Sequence, residues 1–66
     1  MTATDIIAAI IEMYKEASFE DVQELIASRA AVGDLAFIRA ELSEHVSSNE
    51  RNAADDALAV IDAITA

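Results

Sequence analysis

The chain has 66 residues, 13 acidic against four basic, for a net charge of −9, with no cysteine and no proline. That charge repels phosphate backbones and anionic lipid surfaces, which argues against direct binding of nucleic acid or membrane. Without thiols there is no disulfide and no cysteine-bound zinc, and with neither a bilayer-length apolar run nor a basic, apolar signal segment a cytoplasmic location is expected.

The length predicts a single acidic helical domain over residues 1–66. A chain this short hides only about 60% of its unfolded surface and is marginal by itself. Disulfides being excluded, homodimerisation is the expected supplement. Alanine supplies 15 of the 36 apolar residues, which favours helix while adding little buried area. Ile, Leu, Val and Phe still number 18 of 66, above the roughly 20% below which a highly charged chain stays disordered.

Four helices are predicted, over about 4–17, 19–32, 35–47 and 50–65. In the first, Thr2 or Thr4 serves as N-cap, and Thr2 with Asp5 has capping-box spacing. Ile6, Ile7, Ile10, Ile11, Met13, Tyr14 and Ala17 share one face, opposite Asp5, Glu12, Lys15 and Glu16. In the second, Ser18 is the N-cap with Asp21 three residues on, and Glu20 and Asp21 complement the helix dipole. Its apolar face is Phe19, Val22, Leu25, Ile26 and Ala30, with Arg29 near the middle of the stripe.

A change of stripe phase at "VGD" predicts a corner, with Gly33 left-handed at the end of helix two and Asp34 capping helix three. Helix three then presents Leu35, Ile38, Leu42 and Val46, and Phe37 lies off that face. In "HVSSNERNAADD", Ser47 with Glu50 offers one capping box and Asn52 with Asp55 a later one. Helix four places Ala54, Ala57, Leu58, Val60, Ile61 and Ile64 on one face, with Asp55, Asp56 and Asp62 off it. The fold class is thus all-α, a small bundle of four short amphipathic helices. Either the four close within one chain, or two chains pool their faces, and the length favours a dimer.

"ELSEH", residues 41–45, contains the only histidine. It matches neither the H-x-x-E-H pattern of inverted zinc peptidases nor the Glu-x-x-His of di-iron bundles. A helical pair of Glu41 and His45, four apart, explains it without metal. With one histidine, no cysteine, no G-x-S-x-G and no phosphate-binding loop, neither catalysis nor a cofactor is expected. The adjacent Asp55 and Asp56 diverge by about 100° on a helix and so do not converge on a substrate. In size, charge and class the chain is similar to acyl carrier proteins. It lacks their Asp-Ser-Leu attachment motif, and no serine follows an aspartate anywhere.

Arg29 and Arg39 have no acidic residue three or four positions away in their own helix, so each must reach water or a carboxylate on another element. Phe37 either fills a gap between helices or belongs to an exposed contact patch. The expected function is therefore a non-enzymatic interaction module that binds a protein partner through Phe37, Arg39, Glu41, Glu44 and Arg29. The alternative is an acidic nucleic-acid mimic of the phage or mobile-element type, which inhibits a DNA- or RNA-binding protein.

Overall fold

The computed structural model describes residues 1–47 and 49–66. It contains α1 (Ala3–Met13), α2 (Phe19–Arg29), α3 (Leu35–Leu42) and α4 (Ala53–Thr65), with single 3-10 turns at Val32–Asp34 and Ser43–His45. No strand forms among the described residues. Three of the four helices start where capping chemistry places them. Thr2 with Asp5, Ser18 with Asp21 and Asn52 with Asp55 each form a reciprocal box, the N-cap side chain taking the N3 amide while the N3 carboxylate takes the N-cap amide. Of the two boxes offered before α4, the later one forms. Ser47 Oγ instead accepts the Asn49 and Glu50 amides, both at 3.2 Å, ahead of the helix.

The helix ends differ from expectation. α1 stops at Met13 rather than 17, because Tyr14 turns to φ 43°, ψ −104° while its carbonyl accepts the Ala53 amide at 2.6 Å. A non-glycine residue rarely occupies positive φ, so the link to α4 sustains a local strain. α2 stops at Arg29, with Ala30 already extended. Gly33 is not left-handed: no glycine has positive φ, and Gly33 lies inside a 3-10 turn. Asp34 makes no side-chain cap, because that turn feeds α3 directly, the Leu35 amide reaching the Val32 carbonyl. α3 is consequently short, and Val46 lies beyond it, 39% exposed.

The core is formed by Ile6 and Ile10 of α1, Val22 and Ile26 of α2, Leu35, Ile38 and Leu42 of α3, and Ala53, Ala54, Ala57, Val60 and Ile61 of α4. α4 touches all three other helices, and α1 and α4 lie between α2 and α3. Three of its five buried apolar residues are alanines, whose small side chains let neighbouring backbones approach closely. The exposed chain surface is 4081 Å² and the radius of gyration 10.4 Å. A folded monomer of this size has about 4,000 Å² and about 11 Å. The four helices therefore close on one another within a single chain. No helix among the described residues is long and apolar enough to cross a membrane.

Candidate partner-binding surfaces

The five residues expected to meet a partner are all exposed, and they do not form one cluster. α3 buries Leu35, Ile38 and Leu42. At 100° per residue this turns Phe37 and Glu41 to one flank of the helix and Arg39 to the other. Phe37 is 51% exposed and so fills no gap between helices. Glu41 follows it by one turn, and Glu44 lies in the 3-10 turn that extends the helix.

Arg39 finds its carboxylate on α4. Its Nε and Nη2 donate to the two carboxylate oxygens of Asp62 at 2.7 and 3.3 Å. This two-pronged geometry suits the planar guanidinium. Hydrogen bonding from Arg39 holds the Asp62 carboxyl below its ordinary value, and Asp62 in turn raises Arg39. Both side chains are about half exposed, so the pair orients α3 against α4 more than it stabilises them. Arg29 is exposed in the last turn of α2, where a cation suits the helix dipole. It stands in line with Val22 and Ile26 at the last position of the helix, and it stays exposed. The pair expected between Glu41 and His45 does not form among the described contacts, because α3 ends at Leu42 and His45 belongs to the following turn.

A second surface lies where the C-terminal ends of α1 and α3 meet the start of α4. Ile10, Ile11, Tyr14, His45, Asn52 and Ala54 line a cleft of about 180 Å³ there. Ile11 and Tyr14 are 39% and 53% exposed at its mouth. The Asn52 amide is engaged by the fold: its oxygen accepts the Ala54 and Asp55 amides, and its nitrogen donates to the His45 carbonyl at 3.1 Å. What remains to face an incoming group is mostly apolar surface from Ile10, Ile11, Tyr14 and Ala54. Such a lining gains by burying another apolar group. Among the described residues no three His, Asp or Glu side chains converge as metal ligands would.

Asp56, expected off the apolar face of α4, is instead buried and paired with Arg51. Arg51 also lies over the Phe19 ring, 5.5 Å from its centre, and so joins the start of α4 to that of α2. Because α4 meets three helices, its contact arc is wide enough to enclose a residue about 100° from the Ala57 midline. Lys15 pairs with Glu50 and sits 5.2 Å from the Tyr14 ring centre. Three of the four cations are thus tied to carboxylates of the same chain. Residue-by-residue reading missed the cleft because its lining comes from three separate segments. The one local signal was Tyr14, a large ring near the end of an apolar stripe. No protein-family model, curated protein or solved structure matches the chain.

Proposed function

We propose that this chain is a non-enzymatic protein-binding module, a small acidic helical protein that docks on a basic surface of a protein partner and modulates it. The observation that carries the reading is the state of its charges. Of 13 carboxylates, three are paired with Lys15, Arg39 and Arg51, which leaves 13 − 3 = 10 without a basic partner among the described contacts. A field of this sign steers association towards basic surfaces and disfavours acidic ones. The half-exposed Phe37, with Glu41 one turn away, adds an apolar anchor beside the charge. Phosphate mimicry would not use such an anchor, so Phe37 favours the module over the mimic.

A cytoplasmic setting and a homodimer belong to the same proposal. The dimer is not required to close the core. Its role would be to cover exposed apolar side chains other than the Phe37 anchor, such as Ile64, at 47%. Sedimentation equilibrium tests it: a monomer throughout the micromolar range overturns the dimer and leaves the module standing.

The function is tested by capturing the partner from native host extract and measuring its affinity for the purified chain at rising salt, with and without competing nucleic acid. The module reading expects Phe37→Ala to weaken binding about tenfold, as loss of an interface anchor does, with salt exerting a moderate effect. Insensitivity to Phe37→Ala, together with steep salt dependence and displacement by nucleic acid, would establish the mimic instead.

A further inference from the structure

We propose that the cleft between the C-terminal ends of α1 and α3 and the start of α4 seats one aromatic side chain of a partner protein segment whose flanking residues are basic. The inference rests on the protein-binding reading above and adds to it the place and chemistry of a contact.

Size comes first. The cleft measures about 180 Å³, and an engineered apolar cavity of about 150 Å³ holds benzene. One six-membered ring fits, whereas drug-sized ligands and cofactors occupy roughly 300–1,000 Å³. The lining agrees. Ile10, Ile11 and Ala54 are aliphatic, and the Tyr14 ring stands at the mouth to pack against another ring. Tyr14 is held there in its positive-φ conformation by the Ala53 amide, so the wall is fixed by the fold before any partner arrives.

Charge selects among possible occupants. The segments that build the cleft, residues 10–16 and 44–56, contain Glu12, Glu16, Glu44, Glu50, Asp55 and Asp56 against Lys15 and Arg51, six minus two, or −4. Both cations are already joined to Glu50 and Asp56. A second copy of the chain would bring its own −9 to these acidic segments, and a nucleic acid would bring phosphates. A partner segment with lysine or arginine on either side of its aromatic residue meets them with opposite charge.

The test is a titration of the isotope-labelled 66-residue chain with a synthetic peptide holding one phenylalanine between lysine–arginine pairs, followed by amide chemical shifts at moderate salt. Shifts are expected at Ile11, Tyr14, His45 and Ala54. Affinity should fall about tenfold when serine replaces the peptide's phenylalanine, and by a similar factor in Ile11→Ser and Tyr14→Gly. Tyr14→Gly removes the ring while supplying a residue that accepts positive φ, so it remains folded and keeps the loss interpretable.

Equal binding of the phenylalanine and serine peptides would overturn the cleft, as would shifts centred on Phe37 and Glu41, and both leave the module reading intact. Concentration-dependent shifts at the cleft without peptide would assign it to a second copy. Absence of any binding at millimolar peptide also overturns the inference. The module reading itself stands or falls on the captured partner and its competition with nucleic acid.

Discussion

Two helix starts in this molecule use the same local device and meet different surroundings. Before α1, the Thr2 amide donates to Asp5 at 3.1 Å and the Asp5 amide to Thr2 at 3.2 Å. Before α4, the Asn52 amide donates to Asp55 at 3.0 Å and the Asp55 amide to Asn52 at 3.2 Å. The first box is exposed to water. In the second, Asn52 is 5% exposed and also holds the His45 carbonyl, while the next residue, Ala53, donates to Tyr14. Water can replace a lost bond at the first site but not readily at the second. The same motif is therefore a local trim on α1 and a joint between three segments at α4.

Asn52→Ala should show this most strongly. Loss of the cap costs up to about 2 kcal/mol, and depriving the His45 carbonyl of its donor adds about 1 kcal/mol. Against the roughly 3–10 kcal/mol expected for a domain of this length, a urea titration should show a large drop in midpoint. A drop no greater than that of Thr2→Ala would break the comparison.

Arg51→Ala comes next, at about 1–2 kcal/mol, because it strips the buried Asp56 carboxylate of its partner. The double variant with Asp56→Ala should lose less than the sum of the two single changes, and strict additivity would mean that the pair is not coupled. Thr2→Ala should cost only about 0.5–1 kcal/mol, as at an exposed cap.

The exposed box also has a pH signature. Hydrogen bonds from the Thr2 amide and hydroxyl hold the Asp5 carboxyl below its ordinary value. A depressed folded value means that the stabilisation is complete above the unfolded value of about 3.9 and is lost as pH falls through the folded one. Asp5→Asn should therefore destabilise the chain at neutral pH, with a penalty that shrinks below about pH 4. A penalty that persists unchanged in acid would show that the charge plays no part.

The smallest effect should come from the one helix start without a side-chain cap. Gly33, one residue before Asp34 at the entry to α3, has ordinary negative φ, and an added Cβ would touch nothing. Gly33→Ala should raise stability by about 0.4–1 kcal/mol by restricting the unfolded chain. A loss instead would place a requirement for glycine in that turn.

Particular residues show what could be read in advance. The boxes of Thr2 and Ser18 were legible because each is complete within four consecutive residues. Ile6, Ile10, Val22, Ile26, Ile38 and Leu42 were legible as core because the helical period alone aligns them. The residue of positive φ was not. The lone glycine invites that role, yet Tyr14 takes it because its carbonyl is claimed by Ala53, 39 positions along the chain. Of the candidate site, the place of Phe37 off the α3 stripe was legible, while its exposure, against the filling of a gap, was decided by the packing. The Asp62 partner of Arg39 and the aromatic-sized cleft were not legible, since neither depends on spacing within one helix.

The sequence by itself determined the all-α class, the capped starts of α1 and α2 and the excess of acid over base. Those properties depend on residues within one turn of each other or on composition. Tertiary structure alone decided where α1, α2 and α3 end, that Asp56 is buried with Arg51, that four helices close within one chain, and that Ile11, Tyr14 and His45 border one cleft. Each of these is a meeting between segments far apart in the chain, and its energy depends on what the opposing surface presents.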